Sequence, residues 1–174
     1  MKLHTRVMAA LIGVALVAAM PAYAKTWTLT PYGLGPIKIG MTADQVGKLV
    51  GKAISLADDE VSDDPNVCAV VAVPDHPGVS ALFEDQKLTS LWLWGASQNK
   101  TAEGIGVGAS EDAVKAAYPS LEITGADYDE APAANLTYWV RKDVAGLKFR
   151  TDTQRRVTSI AAGGRSIGYM EGCL

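Results

Sequence analysis

Apolar residues recur at helical spacing in two short stretches, Val46, Leu49, Val50 and Val114, Ala117, Tyr118, and each stretch carries its own start and stop. Thr42 is a good N-cap for the first, because its hydroxyl can accept from an orphan N–H of the opening turn; Gln45 completes a capping box. Ser110 caps the second, and Glu111 and Asp112 put negative charge at the positive end of the helix dipole. Gly51 and Pro119 are the stops. Both predicted helices are only two to three turns long, so each needs a sheet to lie on.

Most of the remaining apolar pattern reads as strand. Cys68 to Val73, Val79 to Phe83 and Leu88 to Trp94 are β-branched or aromatic-rich, with turns at Pro74 to Gly78 and Glu84 to Lys87. Leu121 to Thr124, Leu136 to Val140, Leu147 to Thr151 and Val157 to Ala161 follow the second helix. Ala57 to Asn66 and Asp127 to Ala134 are acidic or Pro/Ala-rich and read as loops. The expected fold is α+β, with antiparallel strands and the helices on one face of the sheet.

The pattern also echoes itself. Ile39-Gly40-Met41-Thr42-Ala43-Asp44-Gln45-Val46 is answered in kind by Val107-Gly108-Ala109-Ser110-Glu111-Asp112-Ala113-Val114, and Lys87-Leu88-Thr89-Ser90-Leu91 by Arg156-Val157-Thr158-Ser159-Ile160. The two offsets are nearly equal. This predicts two tandem copies of one helix-plus-strands unit, about 33–98 and 103–174.

The first 24 residues belong to neither copy. Lys2 and Arg6 make a positive start, Val7 to Met20 is apolar, Pro21 ends any helix, and Ala22-Tyr23-Ala24 offers small residues where a signal peptidase needs them. The apolar run is too short for a stable membrane span. We read 1–24 as a signal peptide cleaved between Ala24 and Lys25, and 25–174 as a single compact domain in the periplasm or outside the cell. No cysteine lies near the cleavage point to carry a lipid, and the mature chain contains no predicted membrane span.

Composition then narrows the chemistry. The mature chain carries a net charge of about −5, with basic residues scattered, which gives no electrostatic reason to expect nucleic acid. Its two cysteines, Cys68 and Cys173, form an even pair, most simply one disulfide in an oxidising compartment. A closed loop of that size stabilises by about 4 to 5 kcal/mol in the chain-entropy estimate, less any strain. A zinc site needs about four ligands, and one histidine, His76, remains after cleavage.

Several motifs resemble chemistry and fail on their partners. Gly164-Arg165-Ser166-Ile167-Gly168 has nucleophile-elbow spacing, but no histidine follows Ser166 to take its proton. Gly104, Gly106 and Ala109 precede a helix as in a dinucleotide fingerprint, yet Ser97 to Glu103 reads as polar loop where that motif requires a strand. Asp58, Asp59, Glu60, Asp63 and Asp64 lack the central glycine and distal glutamate of a calcium loop. His76 beside Asp75 sits in a Pro-flanked turn. No catalytic residue, metal or cofactor is expected. The aromatics are more informative: Trp92 and Trp94 share one face of a strand, Leu91 and Leu93 line the other, and Tyr138 and Trp139 point to opposite faces of a second strand. Exposed aromatics on a sheet favour protein recognition, so Trp92, Trp94 and Trp139 are the candidate binding residues.

Gly40-Met41-Thr42-Ala43-Asp44-Gln45-Val46, with Leu49 and Gly51 behind it, resembles the opening of two related secreted folds. One is the tandem-repeat β-lactamase inhibitor protein family, the other the small lipoprotein of the outer-membrane β-barrel assembly machine. The resemblance implies a short helix on an antiparallel sheet, and the inhibitor family uses its concave sheet face to bind an enzyme. The expected function is therefore a non-enzymatic periplasmic binding protein, inhibitor-like, whose partner is another periplasmic or envelope protein. The alternatives are a small hydrolase or ligand-processing enzyme using Asp127, Asp129 and Glu130, and a cell-envelope assembly factor. The export reading has a direct check: by mass spectrometry the secreted chain is expected to begin at Lys25 and to weigh two hydrogens less than its reduced form.

Overall fold

The computed structural model describes residues 26–58, 63–64, 66–170 and 172–173. The proposed signal, Ala24 and Lys25 included, lies outside them. Eleven strands are described: β1 (Thr28–Thr30), β2 (Gly33–Leu34), β3 (Ile37–Lys38), β4 (Cys68–Ala72), β5 (Val79–Glu84), β6 (Lys87–Trp94), β7 (Lys100–Thr101), β8 (Leu121–Gly125), β9 (Ala134–Arg141), β10 (Ala145–Thr151) and β11 (Val157–Gly163). Two α-helices, α1 (Ala43–Val50) and α2 (Glu111–Ala117), and two single 3-10 turns, Leu56–Asp58 and Arg165–Gly168, complete the order.

The strands form two sheets. A small one runs β3-β2-β1-β7; the large one runs β4-β5-β6-β11-β10-β9-β8, antiparallel throughout. Helices and small sheet lie together on one face of the large sheet. Leu29, Leu34 and Ile37, Val46 of α1, and Val114 and Tyr118 of α2 share a core with Phe83, Leu91, Leu93, Leu136, Leu147, Phe149 and Ile160.

This corrects the expectation of two tandem helix-plus-strands copies. The described residues are mostly β, with 40% strand against 15% helix, and α1 is followed by three strands of the large sheet where α2 is followed by four. The strands β1, β2, β3 and β7 form a sheet of their own that the expected unit lacks. The sequence echo has a local cause. Gly40 and Gly108 both have positive φ, 91° and 85°. The Gly40 N–H donates to Leu88 O at 2.7 Å while the Leu88 N–H donates to Met41 O; Gly108 and Ala109 clasp Val157 in the same way. A tight turn that grips the start of a strand and then enters a capped helix is used twice, within a fold whose two halves differ.

The caps form as the residues dictate. The Thr42 hydroxyl accepts from the Gln45 N–H, the Gln45 side chain accepts from the Thr42 N–H, and Gly51 closes α1 in the left-handed region. The Ser110 hydroxyl accepts from the Ala113 N–H. The strands β1, β2, β3 and β7 escaped the sequence reading because they are two or three residues long, below any periodicity. In the expected loop Ser97 to Glu103, the buried polar residues Ser97, Asn99 and Thr101 are paired instead: Asn99 Oδ1 accepts from the Trp27 N–H at 2.7 Å, and the Asn99 side-chain amide donates to Ser97 Oγ.

The other face of the large sheet is covered by residues 164–170 and 172–173, the strap that follows β11. Its 3-10 turn packs on β6, β10 and β11. Arg150 Nη2 donates to Tyr169 O and Met170 O, the Tyr169 hydroxyl donates to Glu84 Oε1 at 2.7 Å, and Cys173 forms a disulfide with Cys68 on β4. Leu82, Ala161 and Ile167 are fully or almost fully buried, yet stand apart from the main core. They make a second, small core beneath the strap.

Gly163 is the exit from β11 into the strap. Its φ is +148°, and a Cβ there would lie 2.3 Å from Thr89 O. Gly125, by contrast, has open space around it. Gly163→Ala is expected to destabilise by about 1–3 kcal/mol or more, and Gly125→Ala to stay within about 1 kcal/mol of the parent, both read from urea unfolding midpoints.

Candidate functional site

The face under the strap is organised in rows by strand register. One row runs Leu82, Ser90, Gly163, Gly146, Trp139; the next Ser80, Trp92, Ala161, Lys148, Thr137, Glu122; the third Trp94, Ser159, Arg150, Asn135, Thr124. The middle of the face is floored with small residues, which is why a strap can lie on it. Gly146 shows how close the packing is: a Cβ there would stand 2.5 Å from the Trp139 ring.

All three candidate tryptophans lie on this face. Trp94 is 52% exposed, while Trp92 and Trp139 are half-buried. Each indole N–H of the β6 pair is held by a serine: Trp92 Nε1 donates to Ser90 Oγ at 2.9 Å, and Trp94 Nε1 to Ser80 Oγ at 3.0 Å. The Arg150 guanidinium lies 5.2 Å over the Trp92 ring, a cation–π distance. The site is therefore an aromatic and cationic border around the strap.

Next to it, the 126–129 segment folds over β9, β10 and β11 and encloses a cavity of about 300 Å³, lined in part by Asp127, Asp129, Asn135, Arg150 and Ser159. Asp127 Oδ2 sits 3.8 Å from Lys148 Nζ and 3.6 Å from Arg150 Nη2. Lys148 is nearly buried, its side chain 8% exposed. Burial holds its ammonium below the usual lysine pKa; neighbouring Arg150 pushes the same way and Asp127 opposes them. Of the three candidate carboxylates, Asp127 and Asp129 thus meet at one cavity, and Glu130 does not line it. Asp127 is held between two cations, which suits a structural anchor better than a proton acceptor.

The remaining candidates are dispersed. His76 stacks on Trp27 with ring centroids 4.0 Å apart; burial lowers its pKa against the pull of Asp75, and Asp75 itself pairs with Lys52 at 2.8 Å. Ser166 is buried in the strap turn with no partner for its hydroxyl. Asp59 and Glu60 of the acidic cluster lie outside the described residues, and no group of three metal-ligating side chains occurs among the described ones. Lys148 and Arg150 were the residues sequence reasoning passed over. The signal was present, as two cations alternating with Leu147 and Phe149 on a strand buried on its other side.

Comparison with family models, with curated proteins and with solved structures finds no match to this chain.

The buried ammonium has a measurable sign. Between its lowered folded pKa and the ordinary 10.5 of the unfolded chain, the unfolded state holds the extra proton, so Lys148 makes stability rise with pH across that window. Lys148→Met is expected to abolish that rise. The test is the difference in urea midpoints between parent and variant from pH 7 to 10.5, which cancels the tyrosines that both proteins share.

Proposed function

We propose that this is a non-enzymatic periplasmic protein that binds another envelope protein through the open border of the second sheet face, with Trp94, Trp92 and Trp139 as its anchors. The observation that carries the reading is the large exposed indole of Trp94, on the same face as two half-buried tryptophans and a guanidinium. Tryptophan and arginine are the residues that dominate binding energy at protein interfaces, and a border of them is more than scattered apolar exposure requires. The indole N–H bonds to Ser80 and Ser90 hold the β6 rings in place, so little side-chain freedom is lost on binding.

Export rests on the pattern of residues 1–24 and is supported by the Cys68–Cys173 disulfide, a bond that persists in oxidising compartments. No helix among the described residues is long and apolar enough to cross a membrane. The hydrolase alternative draws on the cavity at Asp127 and Asp129. It is the weaker reading, because Asp127 is engaged by Lys148 and Arg150 and the cavity is bordered by no histidine.

The test is capture from periplasmic extract on immobilised mature protein, with a Trp94→Ala/Trp139→Ala double variant beside it. The parent is expected to retain a specific envelope protein, and the variant to bind it at least about tenfold more weakly while still unfolding cooperatively. Equal retention by both would remove the face from consideration.

A further inference from the structure

The second face of the large sheet is covered by the strap, and that cover is fastened by the disulfide. The strap leaves β11 at Gly163 and Gly164, places Ile167 over the small-residue floor, and returns to β4 through Cys173. Its polar ties to the sheet are few. The Gly164 N–H donates to Thr89 O at 3.3 Å, Tyr169 bonds Glu84, and Arg150 bonds the carbonyls of Tyr169 and Met170.

Two features mark the contact as costly. Among the described residues, three buried side-chain atoms have no hydrogen-bond partner: Glu111 Oε2, Arg150 Nε and Ser166 Oγ. Two of the three belong to the strap contact, Ser166 in the turn and Arg150 as its main clasp. Each is a desolvated polar group that water would satisfy if the strap lifted. Against that cost stands a covalent tie joining residues 105 apart in sequence. Cys68 and Cys173 are both only half-buried, and the bridge lies at the edge strand of the sheet and not within the core.

We propose that the strap is a redox-operated cover: reduction of Cys68–Cys173 releases the strap from the sheet and uncovers the small-residue floor beside Trp92. The reductant is a dithiol. One of its thiolates attacks a bridge sulfur to form a mixed disulfide, and its second thiol then displaces the protein sulfur. Two electrons and two hydrogens pass to Cys68 and Cys173 as thiols, and the dithiol leaves as its own disulfide. Lifting the strap frees the Arg150 guanidinium from the carbonyls of Tyr169 and Met170. It also exposes Leu82, Ser90, Ala161 and Ile167, none of them more than 1% exposed when the strap is closed. No described residue of the strap belongs to the main core on the opposite face.

In the oxidised state the face offers only its border; in the reduced state it offers border and floor together. That regulatory consequence rests on the face being the binding surface, whereas release of the strap does not.

The test is hydrogen exchange on the mature protein, oxidised and then treated with dithiothreitol under native conditions, with acrylamide quenching of tryptophan fluorescence in parallel. Reduction is expected to speed exchange of the 165–170 amides roughly tenfold or more and to increase quenching, while amides of β9, β10 and β11 keep their protection. Unchanged exchange in 165–170 would overturn the proposal, as would loss of protection throughout the sheet, since the bridge would then staple the whole fold. Cys173→Ser is expected to reproduce the reduced pattern without reductant. Tyr169→Phe, which removes the Glu84 bond and keeps the bridge, is expected to leave the strap closed. If the strap opens as expected and capture from extract still finds no partner, the face fails as a binding surface and the cover stands.

Discussion

The pairing of β6 with β11 is the join on which the rest of the molecule depends. Five residue pairs, from Ser159 and Trp94 to Gly163 and Ser90, unite strands that lie far apart in sequence into one sheet. That register also decides what each face contains. On one side it aligns Leu91, Leu93, Ile160 and Ala162 with the helices and the small sheet; on the other it aligns Ser90, Ala161 and Gly163 into a shallow floor. A slip of one residue would exchange the two sets and leave the helices facing serine and glycine.

A sheet with apolar or small residues on both faces needs two covers, and this chain provides them in different ways. The first cover is conventional: amphipathic helices with proper caps, reinforced by a small four-stranded sheet. The second is a strap without regular structure beyond one 3-10 turn, held at its far end by a disulfide. Where the strap stops, the face turns polar and charged. Lys148 and Arg150 settle there around the single carboxylate of Asp127, and the tryptophans occupy the margin between strap and charge.

The seven strands of the large sheet and both helices were legible in the sequence, because each strand is a β-branched or aromatic-rich run between turn residues and each helix opens with a cap followed by period-3.6 spacing. The strands of the small sheet were not, since two or three residues cannot show a period. The echo between residues 39–46 and 107–114 was real at the level of a turn that grips a strand, and misleading when extended to whole units. Local sequence encodes the clasp, but the number of strands after it and the sheet they join are decided by long-range pairing. The tryptophan face could be read from i, i+2 spacing. The cavity at Asp127 could not, because it forms only when a loop after β8 folds back over strands from later in the chain. The strap escaped for the same reason: Ser166 and Ile167 have no pattern of their own and become buried only against a floor built elsewhere.

The β6–β11 join also has a consequence for how the molecule comes into being. Leu93 must find Ile160, and Cys68 must find Cys173, 105 residues later. A chain delivered from its N-terminus onward can form the β4-β5-β6 meander early, from neighbouring segments. It can neither complete the central pair nor cover the second face until β11 and the strap that follows it have been made. Through that interval the β6 edge is open and Leu82 lies bare on the meander, so the half-made sheet presents the kind of unpaired strand that associates with its neighbours. The strap thus ends the aggregation-prone period of folding as well as closing the finished structure.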